Sequence, residues 1–168
     1  MNEAQKRFGQ IYDDNIDKVY RFVFLKVNSK EVAEDLTAEA FTKTWKVFEK
    51  KFNQKKSLEN PEAFCYRTAR NLVIDHYRRQ GRRQTVPVES VTLASNENLE
   101  KKVAVTSDME MVMKAIKNIN SDYQDIIIWH YLDELSVSEV AEIMGKSEGA
   151  TRVMVHRALE SLKNVLEA

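Results

Sequence analysis

The stretch from Phe64 to Arg83, FCYRTARNLVIDHYRRQGRR, constrains the chain more than any other. At about 100° per residue it divides into two helical faces. Cys65, Tyr66, Ala69, Leu72, Val73, His76 and Tyr77 fall on one side. Arg67, Arg70, Asn71, Asp75, Arg78 and Arg79 fall on the other, with Phe64 and Ile74 as apolar exceptions among them. Gly81 offers a stop, and Arg82 and Arg83 carry the charge past it. Six arginines stand against one carboxylate, Asp75. A helix that packs one face and offers Arg and Asn on the other suits nucleic acid, because arginine pairs bidentately with phosphates and base edges and stacks on bases. A plain solvated basic face has the same pattern, so the rest of the chain must decide between them.

Four glycines and two prolines in 168 residues favour helices over a turn-rich β fold. No apolar run approaches the roughly 20 residues that span a bilayer. The N-terminal MNEAQKRFGQ lacks the apolar core of a signal peptide. Cys65 is the only cysteine, which excludes an internal disulfide and a cysteine-rich zinc site and points to a reducing, cytoplasmic setting. His76, His130 and His156 are far apart, with no ligand spacing around them, so no metal or other cofactor is expected. No phosphate-cradling glycine motif is present, and no activated nucleophile beside a base, so the chain does not read as an enzyme.

Zero net charge conceals an asymmetry. Residues 1–83 hold 18 Lys/Arg against 12 Asp/Glu, a balance of +6, whereas residues 108–168 hold 6 against 11, a balance of −5. Apolar residues recur helically at Phe8, Tyr12, Ile16, Val19, Tyr20, Val23 and Val27. Asn28 with Glu31 offers a cap for a second helix from about Lys30 to Phe52, whose stripe is Leu36, Phe41, Trp45, Phe48 and Phe52. These aromatics read as core. Pro61 then favours the start of the third helix.

Residues 84–107 change character. They lack aromatics and a sustained helical period, and they read as a flexible linker. Beyond them, Ser107 with Glu110, Ser121 with Gln124 and Ser136 with Glu139 fit the capping-box pattern. The expected inward residues are Met109, Val112, Met113 and Ile116, then Ile126 to Trp129, then Val137, Val140, Ala141 and Met144. A last helix from about Ser147 to Leu166 turns Thr151, Val155, Ala158, Leu162 and Leu166 inward. Two short amphipathic helices joined through Gly145 form a helix-turn-helix pattern, whose second member enters the major groove. The expected fold is all-α, with helical domains over 1–83 and 108–168 and a linker over 84–107.

Three blocks in this order resemble a bacterial sigma factor of the extracytoplasmic-function type. The first is DLTAEAF from Asp35 to Phe41 with Trp45, similar to the segment that docks on the polymerase clamp. The second runs from Asn60 through Asn71 to Asp75-His-Tyr-Arg-Arg79, similar to the helix that opens and reads the −10 element. The third is LSVSEVAEIMG from Leu135 to Gly145, with Gly149 and His156-Arg-Ala158, similar to the helix-turn-helix that reads the −35 element.

The resemblance implies a factor that lends promoter recognition to core RNA polymerase, with no catalysis of its own. It implies that Asp35 and Glu39 meet the clamp, with Phe41 partly buried beneath them. Lys55 and Lys56 lie in the loop expected to hold a flipped −10 base. Arg67, Arg70, Asn71, Arg78 and Arg79 are the expected −10 contacts; Asp75 is a further candidate whose other role is to fix the loop or pair with an arginine. The −35 candidates are Lys146, Ser147, Glu148, Ala150, Arg152, Val153, His156 and Arg157. Val153 and Met154 replace the polar or basic residues common there, which with the −5 balance predicts weak phosphate attraction. Val153 suits a thymine methyl. Ala38 replaces a frequent glutamine, a loss on the order of 1 kcal/mol of polymerase contact. A 24-residue linker reaches at most about 80 Å, ample for elements roughly 16 base pairs, or about 55 Å, apart. An anti-sigma factor, often tethered to a membrane that this chain does not itself enter, is the further implied partner.

Two other readings compete. A sigma mimic that titrates an anti-sigma factor suits the acidic C-terminal part but has no use for the arginine cluster. A dimeric helix-turn-helix regulator leaves the first 80 residues without a role.

Overall fold

The computed structural model describes residues 1–83 and 107–168. All regular elements among them are helical, and the chain divides into two compact units. Of the expected linker only Ser107 lies within the described residues, as the first residue of a helix.

The first unit is a three-helix bundle of α1 (Glu3–Val27), α2 (Lys30–Asn53) and α3 (Pro61–Arg83), each packed on the other two. Asn2 and Gln5 close a capping box at the start of α1. Asn28 does not cap α2. It adopts a left-handed conformation (φ 53°) that ends α1, its N–H donating to the Phe24 carbonyl, because asparagine tolerates that region better than any residue but glycine. Ser29, one residue later and extended, caps α2 by accepting from the Val32 N–H at 3.3 Å. Val19, Phe22 and Val23 of α1, Ala33, Ala40 and Phe41 of α2, and Ala63, Cys65, Tyr66, Ala69 and Val73 of α3 form the core. Alanines at the contacts let the helix axes approach closely while the aromatics fill the remaining space.

Cys65 is wholly buried within this core. Burial pushes its thiol up to about 12, Thr44 opposing this by hydrogen bond and Glu62 adding to it. A thiolate is the reactive form. Iodoacetamide is therefore expected to modify Cys65 at least about 100-fold more slowly in the native protein than in denaturant. Rapid native labelling is the contrary result.

The second unit comprises α4 (Ser107–Ile116), α5 (Ser121–Ile127), a π-helical turn (Ile128–Leu132), α6 (Val137–Met144) and α7 (Glu148–Glu167). The long α7 packs on α4, α5 and α6. Asn120, not Ser121, caps α5, its Oδ1 accepting from the Asp122 N–H at 2.9 Å. The Ser136–Glu139 capping box forms as expected. Four successive residues, Ile126 to Trp129, are buried, which a regular surface helix does not allow. The widened π turn accompanies that burial and ends where the Asp133 N–H donates to the Ile128 carbonyl at 2.8 Å.

Several expected core positions differ. Met109 and Leu166 are exposed near helix ends, Val112, Met113, Val137 and Met144 are half-buried, and Ile143 is buried where Met144 was expected.

Candidate nucleic-acid and protein interfaces

The helix α3 begins at Asn60, whose Oδ1 accepts from the Ala63 N–H at 3.1 Å, and at Pro61, whose missing N–H costs nothing in a first turn. Gly81 does not stop it. The helix runs on to Arg83, since an interior glycine costs only about 1 kcal/mol. Arg67, Asn71, Arg78 and Arg79 are exposed and Arg70 and Asp75 half-buried, so the expected outward face is outward. Asp75 is engaged by Arg79 at 2.9 Å, a pairing anticipated as its alternative role. His76 and Tyr77 depart from the buried face. His76 is half-buried, and burial together with Arg79 lowers its pKa. Tyr77 is 45% exposed, and its hydroxyl donates to the Lys26 carbonyl in the last turn of α1. The aromatic body is thus on the surface while its polar tip pins α3 to α1.

Lys55 and Lys56 are exposed in the loop that precedes α3. They close α2 in a Schellman arrangement, the Lys56 N–H donating to the Lys51 carbonyl at 2.8 Å and the Lys55 N–H to the Phe52 carbonyl at 3.0 Å. Lys55 occupies the left-handed position (φ 57°), where glycine is usual and a side chain costs about 1–2 kcal/mol. Lys55→Gly is expected to stabilise the first unit by on the order of 1 kcal/mol and Lys55→Ala not at all, although both remove the charge. Thermal unfolding distinguishes them; equal shifts would place the effect in the charge.

On α2, Asp35 and Glu39 are exposed, with Glu39 3.4 Å from Lys43. Phe41 is more buried than expected, only 4% exposed, with its ring edge-on to Tyr12 at 4.9 Å. It shapes a surface rather than reaching out from it. That surface is an open groove of about 510 Å³ between α1 and α2, lined by Tyr12, Ile16, Tyr20, Ala38, Phe41 and Trp45 among others. Of the α2 aromatics expected as core only Phe41 is buried, while Trp45, Phe48 and Phe52 are half-buried; on the α1 stripe Tyr12 is exposed and Tyr20 half-buried.

In the second unit, Gly145 in the left-handed region (φ 66°) turns the chain between α6 and α7. Ser147 caps α7, its Oγ accepting from the Ala150 N–H at 3.1 Å, so its hydroxyl is already engaged. Thr151 is buried and donates to the Ser147 carbonyl at 2.8 Å. Lys146, Glu148, Ala150, Arg152, Val153, His156 and Arg157 are all exposed. Two of the basic groups face carboxylates: Arg152 lies 3.5 Å from Glu148 and His156 3.6 Å from Glu160. Among the described residues no cluster of His, Cys, Asp and Glu could hold a metal, and no helix is long and apolar enough to cross a membrane.

A bundle with an arginine-rich helix, together with a separate helix-turn-helix unit, defines a class of helical DNA-binding protein. Residues 11–83 match the family model for Sigma-70 region 2, and residues 109–162 match that for Sigma-70, region 4. The ECF RNA polymerase sigma factor BldN of Streptomyces coelicolor is 32% identical over 162 residues, covering 95% of this chain and 60% of BldN. SigW of Bacillus subtilis is 27% identical over 176 residues, covering 96% of this chain and 90% of SigW. Among solved structures, the sigma factor RpoE, crystallised with the anti-sigma factor NepR from Bartonella quintana, shares the fold. Its TM-score is 0.69 at 20% identity, over 97% of this chain and 98% of that one.

The chain belongs to the sigma-70 family of RNA polymerase sigma factors, in its extracytoplasmic-function branch, with regions 2 and 4. It is accordingly a factor that directs RNA polymerase to promoters, and not an enzyme.

Proposed function

We propose that this chain, acting in the cytoplasm, docks on core RNA polymerase through Asp35 and Glu39 of α2. The groove beside them, with Phe41 in its wall, extends that contact. The −10 element is opened and read by Arg67, Arg70, Asn71, Arg78 and Arg79 of α3, and Lys55 and Lys56 border an extruded base. The −35 element meets Lys146, Ala150, Arg152, Val153, His156 and Arg157 at the start of α7, with Ser147 holding the helix end and Glu148 restraining Arg152. The domains responsible span 1–83 and 108–168, and 84–107 joins them.

The observation that carries this reading is the exposed Arg/Asn face of α3 on a helix whose opposite side is buried core. Such a face neutralises phosphate and offers planar donors to unstacked bases. An anti-sigma factor is a further partner, in keeping with the anti-sigma complex in which RpoE was crystallised; it would cover the polymerase-docking and DNA-reading faces.

Mixing the chain with core polymerase and a library of genomic fragments tests the proposal. Co-elution and transcripts with discrete starts are expected. A folded, partner-free chain that fails to bind polymerase overturns it in favour of the mimic.

A further inference from the structure

Ile74 lies at the centre of the α3 face just described. It is 41% exposed, although isoleucine is ordinarily interior. Helical spacing places Arg70 and Asn71 one turn before it and Tyr77 and Arg78 one turn after it. The Asp75–Arg79 pair lies further round the helix. The fold gains less from an aliphatic side chain left this exposed than from a buried one, and its neighbours along this strip are Arg, Asn and Tyr.

We propose that Ile74 is a specificity-determining residue that packs against the C5-methyl of a thymine in the −10 element or the duplex bordering it. The inference rests on α3 being the −10 helix. In the major groove the thymine methyl is the one apolar feature among donors and acceptors. An apolar side chain ringed by Arg and Asn therefore has one complementary feature on B-DNA. Arg and Asn recognise guanine and adenine by bidentate hydrogen bonds, and Ile74 adds recognition of a base that neither favours. A base-stacking role fits less well, because stacking needs a planar face that a branched aliphatic side chain lacks. The β-branch instead holds Ile74 in essentially one rotamer on a helix. Tyr77, pinned to Lys26, fixes the same part of α3.

The test uses reconstituted holoenzyme on a promoter obtained by transcription selection. Each thymine of the −10 region is replaced in turn by deoxyuridine, which lacks only the methyl. Promoter affinity is measured for the wild type, Ile74→Ala and Ile74→Val. One position is expected at which deoxyuridine weakens wild-type binding on the order of fourfold, the worth of one buried methyl. At that position Ile74→Ala shows no deoxyuridine effect, and Ile74→Val retains part of it. No sensitive thymine, sensitivity that survives Ile74→Ala, or selected promoters without a common thymine would each overturn the proposal. Loss of anti-sigma binding by Ile74→Ala with no deoxyuridine effect would assign the residue to a protein interface instead. A wild type that forms no promoter complex removes the −10 reading itself, and this inference with it.

Discussion

Replacing Arg78 and Arg79 together by alanine is expected to abolish promoter opening while leaving polymerase binding intact. Both side chains are exposed on α3, so their removal opens no cavity and leaves the core of Val73, Ala69 and Tyr66 untouched. Arginine contacts to bases and phosphates are worth about 1–3 kcal/mol each. Two together amount to about 2–6 kcal/mol, at least roughly a 30-fold loss of open complex. Arg79→Ala alone should cost more than Arg78→Ala alone. Removing Arg79 also releases Asp75 from its 2.9 Å partner and leaves an unpaired carboxylate beside the DNA. The exposed ion pair itself contributes at most about 1 kcal/mol to the fold, so thermal stability should change little. Filter binding to duplex and pre-opened templates, alongside co-elution with polymerase, separates the effects. Loss of polymerase binding instead would reverse the assignment of faces.

The charge reversal Asp35→Lys with Glu39→Lys is expected to release the polymerase. Both carboxylates stand exposed on α2, next in sequence to Glu34 and Ala38, which line the groove between α1 and α2. Truncating one partner of a close interfacial charge pair costs about 2–5 kcal/mol. Reversing two charges adds repulsion, so binding should fall by well over 100-fold. The helix tolerates the change. A lysine at 39 would face Lys43 one turn on, where Glu39 now lies at 3.4 Å, a penalty of only a few tenths of a kcal/mol. Retained co-elution with core polymerase would count against α2 as the docking helix.

Much of this was legible in the sequence, because helices with one buried face leave a period that survives translation into structure. The strip through Ala69 and Val73 and the Ser136–Glu139 capping box both appear in the folded chain as the residues predict. Where two adjacent residues can each cap, pattern alone cannot choose. Asn28 and Ser29 divided the task by conformation, the first left-handed and the second extended, whereas Asn120 caps α5 and leaves Ser121 as its first helical residue. The π turn had no signal beyond four consecutive apolar residues, which an ordinary buried segment shares. Tyr77 was misplaced because periodicity treats it as apolar, whereas its hydroxyl needs a polar partner and found one at the end of α1. The aromatic stripe of α1 gave no warning of the groove, since exposure of Tyr12 depends on where α2 lies. Ile74 stood out in the sequence only as an exception; its place among Arg70, Asn71 and Arg78 on an exposed surface gives that exception a use.

The most direct measurement is permanganate mapping of unpaired thymines on a selected promoter, with core polymerase, in the presence and absence of this chain. Opening of the −10 element through α3 predicts reactive thymines over that element and the start site that appear only when the chain is present and vanish with the Arg78/Arg79 double substitution. A chain that binds polymerase yet leaves the duplex unreactive, or one whose bubble is indifferent to those two arginines, would contradict it.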